Sequence, residues 1–340
     1  MSRPSLPRPL LIPLIPAYRL ALAARNLRLR TGLETARHLR WPVVSIGSLS
    51  AGGAGKTPLT IALANLLIRN GFHVDVLSRG YGRLSREPAR VDPGGTAEEF
   101  GDEPLLIARA ANLPVYVAAQ RYQAGLLAEE AQPEHQHTGA PRVHLLDDGF
   151  QHRQLARDID ILLVNLQDWH GRLLPAGNLR EPLSAIRRAS VIAIPADEPD
   201  LAADLKARKW TGPIWRLRRS MEIPVITGPV TAFCGIARPD QFFRGLESAG
   251  LRVVARVAFS DHHRYSAGDI DRLLSSARAA HATALITTEK DQVRLGKLSS
   301  ALTAQFPLLT AALRIEIEDE PAVARWVNER LSSPSAPRPV

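Results

Sequence analysis

Residues 43–57 read VVSIGSLSAGGAGKT, and this stretch decides the fold. Its first part, Val43–Ile46, is a β-branched apolar run that predicts a short buried strand, and Pro58–Asn70 predicts the helix that follows. Between the two lies a glycine-rich loop that ends in Lys56 and Thr57. A strand, a glycine-rich loop with Lys-Thr and a helix, in this order, predict a phosphate-binding loop.

This loop is expected to bind the phosphates of a nucleotide through its backbone and two side chains. Glycines let backbone N–H groups point at phosphate oxygens. We expect Lys56 to reach the β- and γ-phosphates, and the Thr57 hydroxyl to ligate Mg²⁺. Ser50 stands where the general pattern has its first glycine. The expected phosphate-binding residues are Ser50, Ala51, Gly52, Gly53, Ala54, Gly55, Lys56 and Thr57.

A second pattern is the run LLDDGFQH at residues 145–152. An apolar strand that ends in acids, here Asp147 and Asp148, is where a P-loop protein holds its metal ion. The carboxyl ends of parallel strands also form the usual ligand crevice of an open sheet. The alternative is an ordinary acidic turn after a strand.

A third pattern combines Gly101-Asp102-Glu103-Pro104 with His262. A hydroxyl group is a poor nucleophile, so an enzyme that transfers a phosphoryl group to one benefits from a carboxylate or imidazole that accepts its proton. The residues alone do not bring Asp102 and His262 together. On the residues alone, a helix cap for Asp102 and a solvated histidine are the favoured interpretations.

Short apolar runs alternate with helical stretches along most of the chain. This alternation predicts an α/β fold with a mostly parallel sheet of the P-loop NTPase type, flanked by helices, and a second, smaller α/β domain. The predicted strands are Val43–Ile46, His73–Leu77, Val115–Val117, Val143–Leu146, Ile159–Val164, Val191–Ile194, Val230–Cys234, Val253–Phe259 and Ala284–Thr288. The predicted divisions are an N-terminal segment at 1–40, a P-loop kinase domain at 41–222, a C-terminal domain at 223–331 and a disordered tail at 332–340.

The positive charge is concentrated at the N-terminus. Residues 1–40 carry eight arginines and one acid, Glu34, which leaves a charge of only +2 out of +9 for the rest of the chain. This distribution argues against a nucleic-acid partner and for a localised anionic surface. The same segment predicts a helix from Ala17 to Arg30 that either lies in a membrane interface or packs on its own domain. The apolar run at 10–15 is by itself too short to cross a bilayer. A single cysteine, Cys234, excludes an internal disulfide.

Taken together, these motifs resemble the tetraacyldisaccharide 4′-kinase family, the lipid A 4′-kinases of Gram-negative bacteria. The resemblance runs from about Tyr18 to Glu329. Its order and spacing are specific, although each motif alone is weak. The motifs are AGGAGKTP at 51–58, SRGYG at 78–82, GDEP at 101–104, DDGFQH at 147–152, LPAGNLRE at 174–181, GIARP at 235–239, DH at 261–262 and TEKD at 288–291.

The resemblance implies a specific chemistry: ATP and Mg²⁺, two Rossmann-like domains with an ATP cleft between them, and an acylated, phosphorylated glucosamine disaccharide as the substrate. It implies Asp102 as the general base with His262, not His263, as its partner, because the family pattern is Asp-His followed by a variable residue. The other implied site residues are Glu103, Asp147 and Asp148 toward Mg²⁺, Arg121 and Gln151 near the phosphates, and Asn178 and Arg180 at the substrate. The resemblance also favours membrane contact by residues 1–40. The expected location is the cytoplasmic face of the inner membrane, and the expected state is a monomer.

Two other functions are compatible with the phosphate-binding loop. One is a non-kinase P-loop ATPase that positions proteins or inserts metals, although such proteins usually have a lysine where Ala51 stands. The other is a nucleotide-binding module without catalysis. Substrate-independent ATP turnover would favour the ATPase, and ATP binding without turnover the module.

Overall fold

The fold is that of a computed structural model, which describes residues 8–131 and 140–332. The strands in these ranges are β1 Val43–Ser48, β2 His73–Ser78, β3 Ala89–Arg90, β4 Val115–Val117, β5 Arg142–Asp147, β6 Ile159–Leu163, β7 Val191–Pro195, β8 Ile214–Glu222, β9 Val230–Cys234, β10 Val253–Ala258, β11 Ala284–Thr288 and β12 Leu308–Ile317.

Helices alternate with these strands. The α-helices within the same ranges are α1 Ile15–Arg30, α2 Lys56–Arg69, α3 Ala97–Phe100, α4 Asp102–Ala111, α5 Arg121–Glu130, α6 Leu166–Trp169, α7 Pro199–Ala207, α8 Pro239–Ser248, α9 Ala267–Ala279, α10 Glu289–Leu295, α11 Ser299–Thr303 and α12 Glu320–Ser332. Short 3-10 helices cover Arg8–Leu14, Leu183–Arg188 and Gly296–Leu298. The predicted class, a mostly parallel α/β fold, is confirmed.

The contacts divide the chain into two compact units. The first contains residues 8–78, 120–131, 140–218 and 317–332, and the second contains Arg79–Ala119 and Arg219–Glu316. The predicted domains, 41–222 and 223–331, were linear in sequence, whereas here Arg79–Ala119 groups with the later part of the chain. The predicted disordered tail lies almost wholly outside the described residues.

In the first unit, the strands lie side by side in the order β8, β7, β6, β1, β5, β2, and every neighbouring pair is parallel. All six residues of β1 are buried, because helices cover a parallel sheet on both faces. One core cluster contains Leu49, Phe150 and Leu162, and residues Ile15, Tyr18 and Leu22 of α1 pack against it. The buried sheet therefore holds in place the start of the loop that follows β1.

In the second unit, β10, β9, β11 and β12 form a parallel sheet in that order. Successive residues of β9 point to opposite faces of the sheet, as a strand requires. Phe233 packs in a cluster with Ile270 and Leu273 of α9, and Cys234 packs with Phe242 of α8. Helices thus cover both faces. The short strands β3 and β4 pair antiparallel in this unit.

Helix α1 differs from the others because much of its apolar surface is exposed. The stretch Leu10–Leu29 is helical over 20 residues with a mean hydropathy of 1.2, so its length and composition alone would allow it to cross a membrane. The run at 10–15, considered alone, was too short for that. Leu20 and Leu27 are 72% and 60% exposed. The predicted helix from Ala17 to Arg30 is confirmed.

Candidate active site

The phosphate-binding loop joins the end of β1 to the start of α2. Gly52, Gly53 and Gly55 have positive φ angles of 78°, 67° and 87°, which residues with a Cβ rarely adopt. These angles turn the chain directly into α2, whose first residues are Lys56 and Thr57, both buried. Free N–H groups at a helix start attract anions. The positive φ angles and the helix start give this loop a shape that suits an anion.

Lys56 lies between the loop and an acidic side chain. Its Nζ donates to Ser48 Oγ at 3.4 Å and lies 3.5 Å from Asp148 Oδ1. Only 8% of the residue is exposed. A buried ammonium is stable only when it is paired, so Asp148 holds Lys56 beside the loop.

Asp147 and Asp148 lie at the end of β5, which is next to β1 in the sheet. Ile46 pairs with Asp147 across the two strands, so both chain segments leave the sheet at the same edge. Thr60 of α2 donates its hydroxyl to Asp147 Oδ1 at 2.9 Å. Burial acts to raise the pKa of Asp148, but Lys56, Arg180 and Arg121 lower it below its ordinary value. Asp148 is therefore a carboxylate at neutral pH.

A second segment, residues 178–180, runs beside the loop. The N–H of Ala51 donates to the carbonyl of Asn178 at 2.8 Å, and that of Arg180 donates to the carbonyl of Leu49 at 2.7 Å. The Arg180 guanidinium donates to Asp148 Oδ2 at 2.9 Å and to Gln151 Oε1 at 3.3 Å. These bonds bring the predicted residues of three sequence motifs together.

Gln151 and Arg121, both expected near the phosphates, also lie in this unit. Gln151 donates from Nε2 to the carbonyl of Ser48 at 2.9 Å, at the end of β1. Arg121 is the first residue of α5, is buried, and is close enough to Asp148 to lower its pKa. The first unit thus carries an acidic pair surrounded by three basic side chains.

Asp102 and His262 meet in the second unit, although 160 residues separate them. The Nδ1 of His262 lies 3.0 Å from Asp102 Oδ2. Asp102 is the first residue of α4 and is 5% exposed, whereas His262 is half-buried. His263 instead has Nε2 at 3.1 Å from Asp269 Oδ2. The distinction that the resemblance drew between the two histidines agrees with these contacts.

Lys290 and Arg294 contact the carboxylates of Glu103 and Asp102. Neither basic residue had a role predicted from the sequence. Arg294 donates from Nε to Asp102 Oδ2 at 2.7 Å, and Lys290 donates to Glu103 Oε1 at 2.6 Å. Both belong to α10, four residues apart and hence on one helix face. That spacing, which begins at the lysine of the TEKD motif, was the available signal.

These contacts determine the charge states of Asp102 and His262. Burial acts to raise the pKa of Asp102, but the hydrogen bond to His262 and the charges of Arg294 and Lys290 lower it well below its usual range. The hydrogen bond to Asp102 raises the pKa of His262 above its ordinary value, more than burial lowers it. Asp102 is therefore ionised and can accept a hydrogen bond from a hydroxyl group.

No cluster of three or more His, Cys, Asp or Glu side chains that could hold a metal ion occurs among the described residues. A magnesium ion bound with a nucleotide needs fewer protein ligands, because phosphates and waters fill the other positions. Thr57 is the second residue of α2, Asp147 is the last residue of β5, and Asp148 directly follows it. This all-oxygen donor set fits Mg²⁺.

Comparison with known proteins gives one consistent family. The family model described as tetraacyldisaccharide-1-P 4′-kinase (LpxK) matches residues 7–332. The tetraacyldisaccharide 4′-kinase of Koribacter versatilis is 42% identical and covers 91% of this chain and 95% of its own, and that of Nitrobacter winogradskyi is 40% identical, covering 95% and 94%. A crystal structure of "apo" form LpxK from Aquifex aeolicus in complex with ATP is 31% identical, with a TM-score of 0.74, and covers 96% of this chain and 100% of its own.

Proposed function

Because the chain belongs to the tetraacyldisaccharide-1-P 4′-kinase family, we propose that it transfers the γ-phosphate of ATP to the 4′-hydroxyl of a tetraacylated glucosamine disaccharide 1-phosphate, a step of lipid A biosynthesis. The observation that carries this proposal is the pairing of a buried, ionised carboxylate with an imidazole, Asp102 with His262. In a kinase this pair can accept the proton of a sugar hydroxyl. An ATPase that transfers the phosphoryl group to water has no sugar hydroxyl to deprotonate.

In the proposed reaction, the loop of the first unit binds the phosphates. Backbone N–H groups of the loop bind phosphate oxygens, apart from that of Ala51, which donates to the carbonyl of Asn178. Lys56 and Arg121 neutralise charge on the transferred group. Phosphoryl transfer requires mainly positioning and charge stabilisation from the protein. The buried, charged environment of Lys56 supports this role, since a fixed charge is effective where water is excluded.

The oxygen of the 4′-hydroxyl bonds to the γ-phosphorus while the bond between this phosphorus and the ADP oxygen breaks. Asp102 accepts the proton that the hydroxyl loses. A carboxylate with a lowered pKa is a weak base, but a loose transition state requires little proton removal until the new bond is forming. His262 and Arg294 keep the carboxylate ionised and oriented. Asn178 and Arg180 are proposed to contact the substrate, beside the phosphate-binding loop.

Mg²⁺ is proposed to bind with ATP, where it would neutralise charge on the phosphates. Thr57, Asp147 and Asp148 supply the oxygens that support this assignment in the first unit. Glu103, also predicted to help with Mg²⁺, is paired with Lys290. Its proposed part is therefore to hold Lys290 near Asp102.

We also propose that the protein acts as a monomer at the cytoplasmic face of the inner membrane. The exposed leucines of α1 and the charge of +7 on residues 1–40 support contact with anionic lipid. Because salt screens such attraction, binding to anionic vesicles should fall as the salt concentration rises. Binding that is independent of salt would exclude an electrostatic contribution.

The kinase and ATPase functions are separated by following the label of γ-labelled ATP with and without a tetraacylated disaccharide 1-phosphate in detergent micelles. We expect labelled lipid from the wild type, and at least about 100-fold less from Lys56→Ala, because one fixed charge in the site is lost. Circular dichroism checks that the variant is folded. Release of label only as free phosphate, whether or not lipid is added, would support the ATPase instead.

A further inference from the structure

A cavity of about 1240 Å³ lies beneath α1 in the first unit, away from the phosphate-binding loop. Its lining includes Val43, the first residue of β1, whereas the loop follows the last residue of that strand. One face of α1 forms a wall through Arg19, Leu22, Ala23 and Asn26. These positions follow the spacing i, i+3, i+4 and i+7, which places them on one side of a helix.

The walls of this cavity, which we call the sub-helix cavity, carry an excess of positive charge. Three acids line it, and each is already bonded: Glu181 to Arg25 and Arg188, Asp160 to Arg157, and Asp158 to the N–H of Val43. Six arginines line it: Arg19, Arg40, Arg153, Arg157, Arg187 and Arg188. The acids therefore neutralise only part of this charge.

Two of the arginines, Arg153 and Arg188, are partly or fully buried in the wall of the cavity. Arg153 is 8% exposed and donates to the neutral amide oxygen of Asn26 at 2.8 Å. Burial and the neighbouring charges of Arg188 and Arg157 lower the pKa of Arg153 to about 10. The Nη1 of Arg188 is buried and has no hydrogen-bond partner among the described residues. Buried positive charge of this kind is stabilised by an anion.

The position of the cavity identifies the class of anion. Leu20 and Leu27, which lie about a quarter turn around α1 from the cavity wall, are exposed to solvent, and so are Leu10 and Leu14. A lipid with a negatively charged phosphate would fit both the arginines and the leucines. Its headgroup would contact the arginines of the cavity, and its acyl chains would contact the exposed leucines. We propose that the sub-helix cavity binds the phosphate headgroup of an anionic membrane phospholipid, at a site additional to that of the lipid substrate.

The test compares vesicle binding by two variants that remove the same charge from opposite sides of α1. Arg19 lines the cavity, whereas Arg28 is nine residues away, on the opposite side of the helix, and does not line it; both are exposed. Full-length Arg19→Gln and Arg28→Gln are titrated with phosphatidylcholine vesicles that contain either no phosphatidylglycerol or about 30 mol % of it. Arg187→Gln, from another wall of the cavity, is a third variant.

We expect Arg19→Gln and Arg187→Gln each to reduce the preference for phosphatidylglycerol by about fivefold, and Arg28→Gln by less than about twofold. Binding to neutral vesicles and phosphoryl transfer in detergent micelles should not change. Equal losses for Arg19→Gln and Arg28→Gln would overturn the proposal, because the attraction would then be non-specific.

A second arm separates a lipid headgroup from a soluble phosphate. Inorganic phosphate is added to the lipid-free protein, with chloride at matched ionic strength as the control. No specific increase in the unfolding temperature is expected, because a free ion lacks the acyl chains that keep the headgroup beside α1. An increase with phosphate as large as that with phosphatidylglycerol vesicles, and lost in Arg187→Gln, would assign the cavity to a soluble phosphate and overturn the lipid assignment.

Discussion

Asp102 is a buried carboxylate whose neighbours decide its charge. His262 and Arg294 both contact its Oδ2 atom, and Lys290 adds a further positive charge nearby. A carboxylate without such partners would take up a proton when buried, and would then no longer accept one from a substrate. The proposed catalytic role therefore depends on residues outside the motif that contains Asp102.

Replacing Arg294 should shift the pH dependence of the reaction. Arg294→Gln removes a charge that lowers the pKa of Asp102, so that pKa should rise toward its ordinary value or above it. The acid limb of kcat/KM should then move to higher pH, with the largest loss of activity at low pH. The measurement is kcat/KM between about pH 5 and pH 9 in both proteins.

Arg294→Lys is the matched control, because it keeps the charge and should restore most of the wild-type profile. Parallel profiles for Arg294→Gln and the wild type, differing only in height, would mean that Arg294 supports the fold without setting the protonation of Asp102.

The resemblance correctly selected His262 over its neighbour as the residue that contacts Asp102. The residues alone could not, because the contact joins segments 160 positions apart and depends on how α4 and the loop after β10 fold. Arg294 was missed for a different reason. Its spacing from Lys290 places both residues on one helix face, but this spacing alone does not distinguish a buried ion-pair partner from a solvated side chain.

The start of helix α4 determines where Asp102 lies. Gly101 precedes it with φ 91° and ψ 152°, a combination that is essentially restricted to glycine. A Cβ at Gly101 would lie 2.9 Å from the Cα of Gly80 and 3.0 Å from the carbonyl oxygen of Tyr81. Both are backbone atoms, which cannot move aside as a flexible side chain can.

Gly101→Ala should therefore destabilise the protein and reduce catalysis together. We expect a loss of about 1–3 kcal/mol in the free energy of unfolding, and a kcat at least about 10-fold lower because Asp102 is displaced. Urea denaturation and steady-state transfer assays measure the two effects. In the control, Gly82→Ala, φ is also positive at 82° but no atom lies within 4 Å, so only backbone strain is added. Equal effects of the two changes would contradict a role for close packing at Gly101.

Elements with a continuous apolar run were predicted well, and those with mixed patterns were not. The strands β4, β9 and β11 have the predicted bounds, because each is a short apolar run with clear ends. Helix α4 was not among the predicted helices, although the interpretation of Asp102 as a helix cap indicated a helix start here. Its Pro104 lies in the first turn, where proline is tolerated. Strand β8 alternates buried and exposed residues only in its first half and includes three arginines, and it was not among the predicted strands.

At the scale of the whole molecule, one buried ionic cluster links stability to pH. His144 of β5 is fully buried, with Nδ1 at 2.6 Å from Asp75 Oδ1 and Nε2 at 3.4 Å from Glu129 Oε1. Burial would lower the pKa of His144, but Asp75 and Glu129 raise it to about 9 from an ordinary value of 6.5. The folded state therefore binds this proton more tightly than the unfolded state.

Stability should fall in a defined pH window as a result. The contribution of the charged His144 is fully present below pH 6.5 and is lost as the pH rises through about 9. We expect the free energy of unfolding to drop by about 3 kcal/mol over this range. Urea midpoints for the wild type and His144→Asn measure it, and the variant should lack this part of the pH dependence. The same slope in both proteins would contradict the assignment.

The division into units could not be predicted from a linear pass along the chain. Residues Arg79–Ala119 follow the first two strands in sequence but make their contacts with the later part of the chain. Such long-range pairing leaves no compositional boundary at Arg79, whereas the alternation of strands and helices survives in every local window. For this reason the fold class was predictable and the division of the chain was not.

The most direct test of the central claim is single-turnover transfer of labelled γ-phosphate from ATP to a tetraacylated disaccharide 1-phosphate, by the wild type and by Asp102→Asn. The asparagine keeps the size of the side chain but cannot take up the proton. We predict labelled lipid from the wild type and a transfer rate at least about 100-fold lower from the variant, with ATP binding unchanged. Near-normal transfer by Asp102→Asn would contradict the role of this carboxylate, and the absence of labelled lipid from the wild type would contradict the kinase function.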